Sequence, residues 1–314
     1  MKKLFTIIAI VLLVAVAGCT QETETTKPAT GKAFIGGDKG LELNFLTGAP
    51  PSSVFDTDNP FSISLKIENV GEYDIENSAD ATVEITGINP ADFGVTKNDL
   101  TSDANDELLG ASMDASGNII QGTVDVIDFE ELEYKDTVSG TVPFTLIANI
   151  CYEYGATAQA KLCILEDLIG STGETPFCNA NNQGIAAESS GAPVTVTSMS
   201  ENVLGKQKVS FIFKIRNTGT GTLHQDGTEC DTSIPARDKV WIEIQDTELG
   251  PLKCSGLKDG SDTSGYITLY SNEATVRCTQ EVTDPADFEK VVEIKLRYGY
   301  EESKQQRLEV KQSS

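Results

Sequence analysis

Apolar and polar positions alternate in short runs along most of this chain. In Phe61-Ser62-Ile63-Ser64-Leu65-Lys66-Ile67 every second side chain is apolar, the period of a strand with one buried face. Such runs, separated by turn residues and with no long helical period, predict an all-β fold of the β-sandwich kind. Two short exceptions, "NPADFG" at 89–94 and "DPADFE" at 284–289, read as single helical turns capped by Asn or Asp, with Pro at the first helical position.

The pattern occurs twice. "KIENVGEYDI" at 66–75 matches "KIRNTGTGTL" at 214–223, so Lys66-Ile67-x-Asn69-x-Gly71 falls on Lys214-Ile215-x-Asn217-x-Gly219. "ATVEITGINPADFG" at 81–94 faces "VWIEIQDTELGPLK" at 240–253 less closely. "ANICYEYGATAQAKLCI" at 148–164 matches "IKLRYGYEESKQQRLEV" at 294–310, with Tyr152 and Tyr154 on Tyr298 and Tyr300. Matching blocks in one order predict two tandem copies, at 34–166 and 192–312, joined by a Gly-, Ser-, Thr- and Asn-rich linker at 167–191.

The closing segment of each copy reads as a β-hairpin, one centred on Thr157 and the other on Ser303. Alternation then puts Ile150, Tyr152, Leu162 and Ile164 on the core face, with Leu296, Tyr298, Leu308 and Val310 in the second copy. Cys151 faces Cys163 across the first hairpin, and Arg297 faces Glu309 across the second. Register favours a Cys151–Cys163 disulfide; the competing arrangement bonds Cys163 to Cys178. If Cys254 pairs with Cys278, Cys178 is left for Cys230.

The strand-Asn-x-Gly-strand signature in "KIENVGEYDI" and "KIRNTGTGTL", with the closing Tyr-rich segment, resembles CARDB-like immunoglobulin-fold domains of archaeal and bacterial surface proteins. The resemblance covers both copies and implies two tandem immunoglobulin-like sandwiches with an adhesion, scaffold or spacer role. It implies no particular ligand. Each copy is longer than the usual module of that family, which places insertions around 97–125 and 224–238.

The N-terminus changes the setting. Lys2 and Lys3 precede an apolar run from Leu4 to Ala17, the pattern of a signal peptide over 1–18. Val16-Ala17-Gly18-Cys19 resembles a prokaryotic lipobox, which implies lipid on Cys19. Residues 19–33 then form a polar, Thr-rich tether. The expected location is the outer face of the cell membrane, with Cys19 lipid as the membrane contact. The remaining cysteines, Cys151, Cys163, Cys178, Cys230, Cys254 and Cys278, are even in number, as expected of disulfides in an exported chain.

With 24 Lys and Arg against 48 Asp and Glu, the formal charge is −24. No basic footprint for nucleic acid is visible. The single histidine, His224, reads as a solvated loop residue, and no motif pairs it with a nucleophile or metal ligands. Asp103, Asn105 and Glu107 alternate as oxygen ligands of a cation loop do, but without EF-hand spacing or glycine. No cofactor motif is present. The expectation is a non-enzymatic, lipid-anchored surface protein whose partner is an envelope protein or a cell-surface glycan. The alternative is a lipid-anchored solute-binding or accessory subunit of an envelope transporter or secreted enzyme.

Overall fold

The computed structural model describes residues 32–57, 59–169 and 178–313. The signal peptide, Cys19 and the tether as far as residue 31 lie outside the described residues. The chain is all-β, as its alternation predicts. The first repeat contributes β1 (Leu41–Phe45), β2 (Ser53–Phe55), β3 (Phe61–Asn69), β4 (Ala81–Thr86), β5 (Thr101–Asp103), β6 (Ser112–Met113), β7 (Ile119–Ile120), β8 (Val124–Leu132) and β9 (Thr141–Ile164). Two short strands, β10 (Ile185–Ala186) and β11 (Glu188–Ser189), lie in the linker. The second repeat contributes β12 (Val194–Gly205), β13 (Lys208–Asn217), β14 (Thr222–His224), β15 (Lys239–Ile244), β16 (Leu252–Ser255), β17 (Ser264–Thr268), β18 (Glu273–Glu281) and β19 (Phe288–Lys311).

Three sheets carry the architecture. One has the order β1-β3-β8, one β10-β12-β13-β18-β16, and the third β17-β15-β19-β9-β4-β5, with β11 on β9 and β14 and β2 on β19. The first sheet packs on the third through aromatic rings: Phe61 of β3 meets Phe93 edge-on at 6.2 Å, and Phe93 meets Phe144 of β9 at 5.2 Å. The second sheet packs on the third through β12 and β9.

The two expected hairpins do not form. β9 and β19 are each one continuous strand of 24 residues, and they pair antiparallel along their whole length. The register is symmetric: Tyr152 faces Tyr300 and Tyr154 faces Tyr298, so the tyrosines of one repeat meet those of the other. β4 pairs with residues 147–152 of β9, whose other neighbour is the C-terminal part of β19; β2 joins β19 at Glu309–Lys311. At the other end β15 pairs with residues 294–297 of β19, whose other neighbour is the C-terminal part of β9. Each repeat's last strand therefore runs on into the sheet of the other. Lys32–Ser314 is one compact unit, which corrects the expectation of two self-contained sandwiches.

The disulfides change with the strands. Cys151 and Cys163 lie twelve residues apart on one strand, about 40 Å at strand rise, and cannot bond. The bonds are Cys151–Cys230, Cys163–Cys178 and Cys254–Cys278. The first ties β9 to the loop after β14, hence repeat to repeat. The second is the competing arrangement for Cys163, and the third, entertained only as a condition on the partner of Cys178, lies across paired residues of β16 and β18. Cys178–Cys230 does not occur. Arg297 faces Gly155 rather than Glu309, and Glu309 bonds Arg307 at 3.1 Å.

The repeated Lys-Ile-x-Asn-x-Gly motif has one structural use in both copies. Tyr154 Oη donates to Asn69 Oδ1 at 2.9 Å, and Tyr300 Oη donates to Asn217 Oδ1 at 2.9 Å. Gly71 and Gly219 leave room for the two hydroxyls: a Cβ on Gly219 would stand 2.5 Å from Tyr300 Oη, and one on Gly71 would meet Tyr154 Oη more closely still. Tyr152 and Tyr298 hydroxyls accept from Leu41 N at 3.4 Å and Val194 N at 3.2 Å. All four rings are buried and touch edge-on at 5.5 to 6.1 Å. Of the two helical turns, Pro90–Phe93 forms, capped by left-handed Gly94 at φ 71°. The second does not: Glu289 stands where Gly94 does, and the chain enters β19 directly from Phe288.

Candidate functional site

The outer face of the shared sheet carries two adjoining concavities. The larger, about 770 Å³, lies over Cys151–Cys230. Its walls come from the two segments expected as insertions: Thr101 and Asp103 from one side, Gly227, Glu229 and Cys230 from the other. Asn149, Cys151 and Glu153 of β9 and Glu301 of β19 form the floor, on the strand positions that point away from the core. Six carboxylates line it, from Asp80, Glu84, Asp103, Glu153, Glu229 and Glu301, and no lining residue is basic. Lys97 pairs with Glu84 at 3.0 Å.

Glu153 lies on the groove floor, partly buried. Burial pushes its carboxyl up to about 7; the amide of Gly227, donating to Oε1 at 2.8 Å, opposes the rise, and nearby Asp226 and Asp80 add to it. A proton-transfer step requires a reacting partner within hydrogen-bond reach; the group that Glu153 Oε1 meets here is the Gly227 amide. What the arrangement supplies is a negative, disulfide-floored recess built where the repeats join.

His224 is fully buried, contrary to its reading as a solvated residue. β14 pairs with β19 and draws the ring inward, where Nδ1 lies 3.0 Å from Asp231 O and Nε2 lies 3.3 Å from Glu301 Oε2. The three residues of the suggested cation loop are engaged separately. Asp103 accepts from Thr82 Oγ1 at 2.6 Å, the Asn105 side chain donates to Asp125 and to Val126 O, and Glu107 holds Thr123 Oγ1 through its backbone carbonyl. Among the described residues no group of three or more His, Cys, Asp and Glu is placed to hold a metal ion.

The smaller concavity, about 270 Å³, lies further along the same strands. Tyr266, Trp241, Arg297 and Gly155 form a cross-strand row, of which Trp241 and Arg297 line the concavity together with Tyr73. Trp241 meets Tyr266 edge-on at 4.8 Å, and the Arg297 guanidinium stands 5.7 Å from the Trp241 ring centre. Gly155 carries no side chain, and the ring of Tyr73 lies over it, 2.5 Å from where a Cβ would be. Burial raises the Tyr266 hydroxyl to about 12, as does the hydrogen bond it donates to Asp226 at 2.7 Å. The sequence reading missed this cluster. The one signal available was that the chain's single tryptophan sits in "VWIEI" at an outward strand position.

No protein-family model and no curated protein matches this chain. Among solved structures, a biofilm-associated protein BSP domain superposes with a TM-score of 0.15 at 10% identity, over 85% of this chain and 51% of that one. The chain thus spans about half the length of that structure. A structure of manganese lipoxygenase of Gaeumannomyces graminis and zonadhesin of Komagataella pastoris gives 0.11 at 10% identity, over 86% and 92%. At these TM-scores neither carries an argument about function.

Proposed function

We propose that this chain is a non-enzymatic surface protein, held by lipid on Cys19 to the outer face of the cell membrane. Its repeats act as CARDB-like, immunoglobulin-type modules in an adhesion, scaffold or spacer role. The observation that carries this reading is the joint between the repeats: two 24-residue strands paired along their whole length, with Cys151 of the first bonded to Cys230 in a loop of the second repeat. Tandem modules on an ordinary linker swing relative to each other, whereas shared strands hold the two sheets as one stiff body. A stiff body on a polar tether suits the display of a surface at a set distance from a membrane. Three disulfides fit an oxidising, extracellular environment. The partner on this reading is an envelope protein or a cell-surface glycan.

The acidic groove favours a second reading, in which the same anchored body is a solute-binding or accessory subunit and the recess holds a cationic solute or a basic segment. Fractionation of cells making the full chain tests the anchored reading. The expected result is protein in the membrane fraction that protease added to intact cells removes, with Cys19→Ala releasing it. Wild-type protein free in the medium with unmodified Cys19, or shielded from external protease, contradicts it. Crosslinking on intact cells then separates a neighbouring structural component from a transporter or enzyme.

A further inference from the structure

We infer that the β6–β7 hairpin is a second membrane contact, a two-sided apolar wedge that lies in the headgroup layer of an electrically neutral lipid bilayer. The inference rests on the anchored reading and says how the body meets the membrane. Of the fourteen large apolar side chains exposed among the described residues, six lie within residues 109–126: Leu109, Met113, Ile119, Ile120, Val124 and Val126. Single exposed apolar residues are ordinary on a protein surface, whereas such a concentration marks an interaction site. From Leu109 to Val124 the one charged residue is Asp114. Met113 pairs with Ile119 and Ser112 with Ile120, so the two consecutive isoleucines point to opposite faces of the hairpin. Both are more than half exposed.

The occupant follows from that shape and from the hairpin's place in the fold. A second copy of the chain, or any flat protein surface, would cover one face; a bilayer interface surrounds both. The hairpin also springs from the point where the chain coming from Cys19 enters the fold. Ala111 N donates to Gly71 O at 2.7 Å, and the next residue, Glu72, accepts from Ile35 N at 2.9 Å and Gly36 N at 2.8 Å. From Cys19 to Lys32 the chain reaches at most about 45 Å, so lipid on Cys19 would hold the hairpin near the bilayer, where a weak contact acts at high effective concentration. A single acyl chain attaches only marginally, and a second signal makes attachment stable. Asp114 limits the depth. Its carboxylate accepts from Ser116 N and Asn118 N at 2.8 Å and from Asn118 Nδ2 at 2.9 Å, and a charge held at the turn stays among headgroups rather than in the acyl core. Charge also selects the lipid. No Lys or Arg lies between Lys97 and Lys135, and the chain carries −24 overall, so anionic headgroups are repelled.

The test uses the chain from Cys19, which contains the whole compact unit Lys32–Ser314, coupled through the Cys19 thiol to a maleimide phospholipid. The other six cysteines are held in disulfides. Met113→Trp in a Trp241→Phe background puts the single tryptophan on the hairpin. On phosphatidylcholine vesicles the expected result is emission to the blue of the uncoupled chain in buffer, quenched at least twofold by lipids brominated on the acyl chain near the headgroup. Ile119→Asp combined with Ile120→Asp should abolish both effects, and vesicles enriched in phosphatidylglycerol should weaken them; all variants should keep the wild-type circular dichroism. Where Trp241→Phe alters the fold, the reporter is read with Trp241 retained, as the difference from the wild type. Three outcomes overturn the inference. One is emission unchanged by vesicles. Another is a response that survives the paired Asp substitutions or strengthens on phosphatidylglycerol. The third is a blue shift without bromolipid quenching that grows with protein density on the vesicle, which would make the contact one between copies. Because the anchor is chemical, none of these bears on lipid modification in cells, which fractionation reads separately.

Discussion

Glu201 offers a quantitative test of how the second repeat is held. It sits on β12 with its side chain fully buried; Oε2 accepts from Cys163 N at 2.9 Å, and Oε1 has no hydrogen-bond partner. Burial pushes the carboxyl up to about 8, and the bond from Cys163 opposes the rise. The group is therefore largely neutral in the folded protein at pH 7 and ionised in the unfolded chain. Between about pH 4.5 and 8 the unfolded state binds fewer protons, so this group makes stability fall as pH rises, by up to about 1.4 kcal/mol per pH unit. Summed over the window, the loss is on the order of 5 kcal/mol, complete above pH 8. Glu201→Gln replaces the neutral acid with an amide of the same shape that cannot ionise. It should cost no more than about 1–3 kcal/mol at pH 5, from an amide N–H left without a partner, and should match or exceed the wild type at pH 9. Urea unfolding with disulfides intact, at intervals from pH 5 to 9, gives the difference directly. Wild-type and variant curves running parallel across that range would refute the argument, because the carboxyl would then not be neutral in the folded state.

Tyr154→Phe removes the hydroxyl that donates to Asn69 and accepts from Tyr73 N, and should cost about 1–3 kcal/mol by denaturant unfolding; Tyr300→Phe, at the equivalent contact, should cost a similar amount. Gly71→Ala forces a methyl against the Tyr154 hydroxyl and the Gly191 carbonyl, and should destabilise by at least about 1–3 kcal/mol, whereas Gly184→Ala, with open space around it, should change little. Peptide mapping under non-reducing conditions should give Cys151–Cys230, Cys163–Cys178 and Cys254–Cys278; recovering Cys151 bonded to Cys163 would restore the hairpin.

Alternation along the chain identified the strands and the core face but could not tell a hairpin from one long strand. Ile150, Tyr152, Leu162 and Ile164 are buried as expected, yet folding back at Thr157 or running straight on leaves the same residues on the same face. Strands commonly run 3–10 residues, so one of 24 residues lies outside the ordinary range. Gly155, two residues before the expected turn centre at Thr157, gives the Tyr73 ring room to lie on the sheet. The polar run Glu301–Arg307 looked like a second turn, but its backbone is paired throughout with β9. Asn69, Gly71, Asn217 and Gly219 were legible as a motif before their partners were known, because the tyrosines they serve are distant in sequence. The groove was legible only as two insertions; that they face each other follows from the strand exchange, which no local pattern encodes. His224 went the same way: its neighbours in sequence are turn residues, while its burial comes from β19.

The shared-strand joint is tested most directly by the proximity of Thr145 and Arg307. Both are exposed, and they are cross-strand partners between β9 and the far end of β19, with Cα atoms about 4.5–5.5 Å apart. Thr145→Cys and Arg307→Cys, each labelled with a nitroxide, give reference spectra for the doubly labelled protein. The account predicts strong dipolar broadening in the double variant, within a monomer. A double-label spectrum equal to the sum of the two single-label spectra, with the native disulfides intact, would place the two residues in separate modules and contradict it.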